Sequence, residues 1–176
     1  MADELLDIVN DEDIVTGQQM RSTVHQLGLQ HRGVHVFLFS PDGKMLVQKR
    51  SADRAASPSM LDCSVSEHIK AGESYLDAAM RGMKEEMGVD GIEIKPLVKF
   101  KMNYGINDNE ISTLYEGIVD PSEVKFDPVE IEQIAYYSLD EITRMMNDES
   151  IFCGWFIQIM NWHLGLPTKL TVLKVY

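Results

Sequence analysis

Two adjacent glutamates, Glu85 and Glu86, lie near the end of a segment with the pattern of a short helix. Arg81 and Gly82 precede them by one helical turn, so we expect both carboxylates to share a flank with the guanidinium. Neighbouring carboxylates repel each other unless a cation lies between them, and Mg²⁺ takes oxygen ligands while keeping waters or phosphate oxygens in its shell. The pair therefore predicts a magnesium site; the alternative is a solvated amphipathic helix that carries two charges.

The helix beneath these carboxylates is predicted from its ends and from its apolar positions. Ser74 and Asp77 form a capping-box-like start, with Asp in the place usual for Glu. Gly88 lies where a left-handed C-terminal cap is expected. One apolar stripe recurs at helical spacing between them, formed by Leu76, Ala79, Met80, Met83 and Met87. These signals predict an amphipathic helix that ends at a glycine.

Histidines and acids elsewhere in the chain form a second candidate metal site. The histidines are His25, His31 and His68, and the acids are Asp108 and Glu110. Residues two apart on a strand point to the same face, so the two acids are expected together. Three imidazoles and two carboxylates suffice for a divalent ion, and Mn²⁺ and Zn²⁺ suit them as well as Mg²⁺. A single histidine is more often structural, and His35, inside an apolar strand, is interpreted as a sheet histidine.

Composition sets bounds on the class of protein. The 176 residues are 44% apolar and 25% charged, which is typical of a soluble globular protein, and we expect one domain over residues 1–176. The net charge of −12 argues against a general nucleic-acid or anionic-membrane binder. An acidic protein can still bind a small-molecule diphosphate, through metal ions and a few placed cations. The two cysteines provide no disulfide framework.

The rest of the chain predicts the frame that positions these residues. There is no apolar run of about 20 residues and no secretory-type start, so a cytoplasmic protein, as a monomer or homodimer, is expected. Strands and helices alternate irregularly, which favours an α/β fold of the α/β/α sandwich type with a mixed sheet. Strands are predicted over 5–9, 14–17, 34–39, 45–49, 92–104, 110–119, 134–137 and 170–175, a helical turn within 18–27, and helices over 138–146 and 152–163.

The glutamate helix resembles a Nudix box, the signature of a superfamily that handles diphosphates with magnesium held on such a helix. The matching positions are Glu73, Arg81, Glu85, Glu86 and Gly88. The resemblance implies a Nudix-type sandwich. It also implies that Glu85 and Glu86 hold the metal, that Glu73 braces the helix and that Arg81 orients the carboxylates.

A wider resemblance, over roughly residues 15–160, is to type I isopentenyl-diphosphate isomerase and its Nudix-hydrolase relatives. It implies that the three histidines, Asp108 and Glu110 are metal ligands, and that Glu86 holds the magnesium of the substrate diphosphate. It also implies that Arg50 and Arg54 grip the diphosphate, which suits the fork shape of guanidinium groups. Trp155 falls where an aromatic ring covers an isoprenoid carbocation; core packing is the alternative for this side chain.

The chain departs from both family patterns at several positions. Ser66 stands where the isomerase has its catalytic cysteine, and Cys63 is three residues too early. Glu67 stands where the box has glycine, and Gly82 where it has glutamate. Asp108 replaces a glutamate, and the spacing from His25 to His31 is one residue short.

Three functions remain open from the sequence. The first is a magnesium-dependent hydrolase that cleaves an organic or nucleoside diphosphate by water attack. The second is isopentenyl-diphosphate isomerase, with Glu110 as proton carrier and Tyr104 as its helper, although Ser66 is a poorer proton donor than a thiol. The third is a catalytically impaired binding protein that keeps the Nudix fold, an interpretation suggested by Gly82 and Ser66.

Overall fold

The computed structural model describes residues 3–176. The chain starts with a hairpin of β1 (Leu5–Val9) and β2 (Val15–Met20), followed at once by helix α1 (Arg21–Leu27). The remaining strands are β3 (His31–Phe39), β4 (Met45–Arg50), β5 (Leu61–Asp62), β6 (Val65–His68), β7 (Ile94–Asn103), β8 (Asn109–Ile118), β9 (Ile131–Tyr137) and β10 (Thr171–Val175), and the remaining helices are α2 (Tyr75–Met87), α3 (Leu139–Met145) and α4 (Gly154–His163).

One eight-stranded mixed sheet organises the molecule. Its main order is β10-β7-β8-β3-β4-β5, while β6 pairs with β3 and β9 pairs with β4. The β3–β8 pair is parallel and places His31 opposite Glu110, whereas the β3–β6 pair is antiparallel and places Gly33 opposite His68. Strands β3, β6 and β8 therefore carry histidine and carboxylate side chains to one region of the sheet.

Two hydrophobic cores cover the faces of this sheet. Val34, Val36 and Leu38 of β3 pack with the apolar side of α2, which includes Met83 and Met87. Phe37 lies on the opposite face, with residues of α3 and α4. Because successive strand residues point to opposite faces, this alternation places helices on both sides of the sheet. The predicted α/β fold with a mixed sheet is confirmed.

Most predicted elements are present, with local differences at their ends. The last helix begins at Gly154 and not at Phe152, because Phe152 pairs with Leu61 and the Cys153 N–H donates to the Leu61 carbonyl. The predicted apolar stripe of α2 was wrong at Leu76, whose exposure is 48%. Strand β6 was missed, because its four residues are too short and too polar to produce an alternating pattern.

Candidate active site

Arg81 ties the glutamate helix to the segments that precede it. Its Nε and Nη2 donate to the two carboxylate oxygens of Glu73 at 2.8 and 3.0 Å, and Nη2 also donates to the carbonyl of His68 at 2.9 Å. Its Nη1 lies 3.1 Å from Glu85 and 3.3 Å from Glu67. Burial lowers the pKa of Arg81, but these acids outweigh it and raise the pKa above its usual value. A single guanidinium thus faces three carboxylates and fixes helix α2 against β6.

Glu85 and Glu86 do not form the shared flank that the sequence predicts. Glu85 is exposed, whereas Glu86 is 4% exposed and accepts a 2.6 Å hydrogen bond from Gln48 on β4 through Oε2. The Oε1 atom of Glu86 has no hydrogen-bond partner among residues 3–176. Consecutive helical residues point about 100° apart, so one side chain faces solvent and the other faces the sheet.

The electrostatic state of Glu86 follows from this burial. Loss of solvent raises the pKa of the Glu86 carboxyl well above its usual value, and the negative charge of Glu67 raises it further. The hydrogen bond from Gln48 acts in the opposite direction. A buried carboxylate with one unpaired oxygen is costly without a cation. The position therefore fits an oxygen ligand for a divalent ion.

The three predicted histidines meet in space. Nε2 of His25 lies 3.2 Å from Nε2 of His68, and Glu110 Oε1 lies 3.5 Å from His31 Nε2 and 3.7 Å from His68 Nε2. Helix α1, strands β3 and β6, and strand β8 each contribute to this cluster. When several ligand atoms each lie about 2.0–2.2 Å from one ion, their separations from one another are similar to those measured in this cluster. The cluster thus fits a single divalent ion.

Unpaired polar atoms support the same conclusion. Within the described part of the chain, neither His31 Nε2 nor Asp108 Oδ1 has a hydrogen-bond partner, although both are buried. Asp108 lies 3.6 Å from His25 Nδ1 and directly precedes β8, which begins at Asn109. Its carboxylate nevertheless lies within 4.8 Å of ligand atoms of His31 and Glu110, so the two acids do lie together as expected.

The protonation states of His68 and Glu110 suit metal ligands, whereas Glu110 outweighs burial at His31 and raises the pKa of that imidazole. Burial lowers the pKa of His68 to about 3, which leaves its imidazole neutral near pH 7. Burial raises the pKa of Glu110 but the nearby histidines outweigh it, and its pKa lies well below the usual value. Burial and the charge of Glu110 raise the pKa of Asp108 to about 6. Neutral imidazole and ionised carboxylate are the forms that bind divalent ions.

Gly33 is a residue of this cluster that the sequence analysis missed. A Cβ atom at this position would lie 2.3 Å from Glu110 Oε2 and 2.8 Å from Ser112 Oγ. A glycine inside a strand often marks a close approach, so the signal was present. The space that this glycine leaves open is occupied by the Glu110 carboxylate.

A cavity of about 300 Å³ joins the histidine cluster to the glutamate helix. Its charged lining is mixed, with the arginines Arg21, Arg50 and Arg54 and the acids Glu4, Glu67, Glu85, Asp108, Glu110 and Glu130. Trp155, Tyr104, His35 and Ser66 also line the cavity. The histidine cluster and Glu85 of the glutamate helix therefore border one space of a size suited to a small ligand, whereas the buried Glu86 is not part of its lining.

The two predicted diphosphate arginines are already paired with acids. Arg50 Nη1 lies 2.8 Å from Asp62 in a buried pair, and Arg54 Nη1 lies 2.9 Å from Glu130. The guanidinium of Arg50 also lies 5.4 Å from the ring centroid of Trp155. Both arginines reach the cavity, but Asp62 holds Arg50 in place.

Asp62 is a buried acceptor of hydrogen bonds from several side chains, a role that the sequence did not indicate. Its Oδ1 accepts hydrogen bonds from Trp155 Nε1 at 2.6 Å and from the Ser66 hydroxyl at 3.1 Å. Ser66 Oγ lies 3.0 Å from His35 Nδ1, and Tyr104 lies 3.4 Å from the other ring nitrogen. Burial lowers the pKa of His35, so a neutral ring bridges Tyr104 and Ser66. Cys63 lies in the hydrophobic core and not at the position of Ser66.

Comparison with known proteins identifies the family. The Nudix domain family model matches residues 29–153. The chain belongs to the Nudix family. It is 37% identical to an uncharacterized Nudix hydrolase of Streptomyces coelicolor, over 77% of this chain and 74% of that protein. It is 32% identical to the isopentenyl-diphosphate Delta-isomerase of Serratia proteamaculans, over 90% of each chain. The predicted Nudix membership, with likeness to both kinds of enzyme, is confirmed.

Solved structures show the same fold. The DR0079 protein of Deinococcus radiodurans has a TM-score of 0.78 at 24% identity and covers 90% of this chain and 98% of its own. The Nudix domain of Shewanella oneidensis NrtR, solved with ADP-ribose, has a TM-score of 0.60 at 14% identity and covers 76% of this chain and 85% of its own. Within the described residues of this Nudix protein, no helix is long and apolar enough to cross a membrane.

Proposed function

We propose that this Nudix protein is a magnesium-dependent hydrolase that cleaves an organic or nucleoside diphosphate by water attack. The observation that carries the proposal is the buried Glu86 carboxylate with one oxygen unpaired in the described chain. It stands on a helix that Arg81 and Glu73 hold in place. This Nudix box geometry suits a divalent ion better than it suits a purely structural carboxylate.

The charge of the cavity supports a metal requirement. Three arginines face six carboxylates across the lining, and Arg50 and Arg54 are paired with acids. A diphosphate anion would meet a net negative wall in the absence of other cations. Divalent ions at the cavity would offset the negative charge of its wall. The arginines could then orient the diphosphate.

The residues divide the work as follows. Glu86 and Glu85 would hold the ion, whose bound charge offsets that of the diphosphate and favours ionisation of an attacking water. Glu73 and Arg81 keep the helix in position, and the αL conformation of Gly88, with φ of 65°, ends it. Arg54 reaches the cavity from a loop. It would leave its ion pair with Glu130 and contact phosphate oxygens of the substrate.

Because the chain also resembles isopentenyl-diphosphate isomerases, we place the proposed hydrolase in the isomerase-like branch of the Nudix family. His25, His31, His68, Asp108 and Glu110 would hold a second ion, for which Mg²⁺, Mn²⁺ and Zn²⁺ are candidates. Trp155 forms one wall of the cavity, with its indole N–H bound to Asp62, so an apolar substituent would stack on a ring of fixed orientation. A diphosphate with an organic tail fits these features.

Isopentenyl-diphosphate isomerase is the second candidate, favoured by the complete histidine cluster and by Tyr104 beside His35. Glu110 would carry protons with Tyr104 as its helper. The hydroxyl of Ser66 replaces the expected thiol and donates to Asp62, which leaves it a poor proton donor to a substrate. This hydrogen bond ranks the hydrolase first.

A substrate screen tests the proposal. Purified protein is incubated with Mg²⁺ and a panel of nucleoside diphosphate derivatives and isoprenoid diphosphates, and both phosphate release and isomer formation are measured. We expect Mg²⁺-dependent phosphate or monophosphate release from at least one compound. Isomer formation without hydrolysis would favour the second candidate, and tight binding without turnover would favour the binding-protein alternative.

A further inference from the structure

Gly82 and Glu67 form a complementary pair across the contact of helix α2 with strand β6. A Cβ atom on Gly82 would lie 2.7 Å from Val65 Cγ1 and 2.8 Å from Glu67 Cγ. Any side chain at Gly82 would therefore displace the Glu67 side chain, which passes over the helix at this point. Glycine in mid-helix costs about 1 kcal/mol relative to alanine, and the close approach gives a physical reason for it.

Glu67 lies on strand β6 beside helix α2. The side chain lines the cavity, and its Oε2 lies 3.3 Å from Arg81 Nη1. That guanidinium is shared with Glu73 and Glu85, so it neutralises Glu67 only in part. The negative charge of Glu67 also acts on the buried Glu86, whose Oε1 is unpaired within residues 3–176.

Two nearby acids without full compensation call for a cation. Divalent ions bind where several carboxylate oxygens converge, and they offset the repulsion between the acids. The unpaired, nine-tenths buried oxygen of Glu86 is the independent sign that a ligand belongs here.

We propose, resting on the hydrolase function above, that Glu67 supplies from strand β6 the metal-binding carboxylate that the helix lacks at Gly82. The Nudix box pattern has glycine at position 67 and glutamate at position 82, and this chain has the reverse. The carboxylate therefore lies at the same contact between β6 and α2. The ion is held between Glu67 and Glu86, with Arg81 positioning Glu67. Glu67 is thus a metal ligand contributed by the sheet and not by the helix.

Binding of Mn²⁺, followed by electron paramagnetic resonance, tests this assignment without relying on activity. The protein first receives one equivalent of Zn²⁺, which the histidine cluster accepts because imidazole suits zinc. We expect Glu67→Gln to weaken Mn²⁺ binding by about 10- to 100-fold. The matched control is Glu132→Gln, which removes an exposed carboxylate paired with Lys49 and leaves Mn²⁺ affinity unchanged. Wild-type affinity in Glu67→Gln overturns the proposal.

An exchange variant sharpens the test. Gly82→Glu alone is expected to lower the melting temperature, because its Cβ has no room beside Val65 and Glu67. Glu67→Gly and Gly82→Glu, combined with Val65→Ala to remove the 2.7 Å contact that would remain, return the carboxylate to the helix, so Mn²⁺ affinity recovers relative to Glu67→Gln. A folded combined variant that binds Mn²⁺ no better than Glu67→Gln overturns the exchange.

Activity measured in parallel separates this inference from the proposed function. If Glu67→Gln loses Mn²⁺ affinity and the wild type hydrolyses no substrate, Glu67 is supported as a metal ligand and the hydrolase proposal is contradicted. Hydrolysis by both proteins with equal Mn²⁺ affinity keeps the hydrolase and overturns the ligand assignment.

Discussion

The side-chain amide of Gln48 donates a 2.6 Å hydrogen bond to Glu86 across the contact of strand β4 with helix α2. The bond fixes one carboxylate oxygen against the sheet and leaves the other without a partner in the described chain. Gln48 thereby orients a candidate metal ligand from outside the helix. The same contact explains why Glu86, and not Glu85, is the better protected of the two adjacent acids.

Glu86→Gln is expected to lower Mg²⁺-dependent turnover by about 100-fold or more, since it removes a ligand charge. In EDTA the variant should melt no lower than the wild type, because a buried charge disappears. The raised pKa of Glu86 means that wild-type stability falls as pH rises above the unfolded value, so the advantage of the variant grows from pH 5.5 to 8. Wild-type turnover in Glu86→Gln would remove Glu86 from the site.

A divalent ion is expected to copurify with the histidine cluster at about one per chain. Elemental analysis after purification without chelators measures it. His68→Ala should lose most of this metal, because His68 lies between His25 and Glu110. His163→Gln is the matched control, as His163 packs against Phe37 and Phe39 outside the cluster. Equal metal content in both variants, or only traces in the wild type, would contradict this prediction.

Arg54→Ala is expected to raise KM for a diphosphate substrate by about 10-fold, with less effect on kcat. The reason is that Arg54 reaches the cavity while its partner Glu130 stands on a loop. The effect should shrink at high salt, since dissolved ions screen the attraction between Arg54 and the diphosphate. Steady-state kinetics at two ionic strengths measure it, and an unchanged KM would place Arg54 outside the substrate contacts.

Arg50→Ala is expected to act mainly on stability. It would leave Asp62 as a buried charge without its partner, at a cost of about 3–5 kcal/mol in the free energy of unfolding. Urea denaturation measures this quantity. Lys49→Ala is the control, because it breaks an exposed pair with Glu132 that contributes about 1 kcal/mol or less. A similar small loss in Arg50→Ala would contradict the structural role.

Ser66→Cys is expected to raise isomer formation from isopentenyl diphosphate above that of the wild type, if the second candidate function holds. The thiol would lie beside His35 and the cavity, where a proton donor is otherwise missing. Asp62 lies nearby and favours the protonated thiol, the form that gives up a proton to a double bond. Formation of the allylic isomer is followed over time. If neither protein forms the isomer while other diphosphates are hydrolysed, only the hydrolase proposal remains.

Much of the candidate site was predictable because its residues lie on one continuous helix or follow family spacing. The α2 boundaries followed from Ser74 and Gly88, since caps and apolar periodicity are local properties. The histidine cluster was predictable as a set through the resemblance. Its meeting in space depends on the parallel β3–β8 register, which brings His31 beside Glu110 from far along the chain.

Only the tertiary structure decided which charges are compensated. Asp62 shows no signal in the sequence, yet it is the buried acceptor for Arg50, Ser66 and Trp155. The exposed state of Glu85 and the buried state of Glu86 depend on which helix face meets β4. The close approach of Glu67 to Gly82 depends on the packing of β6 against α2. Sequence spacing determined the types of ligand, whereas long-range packing determined the desolvation and pairing that set their chemistry.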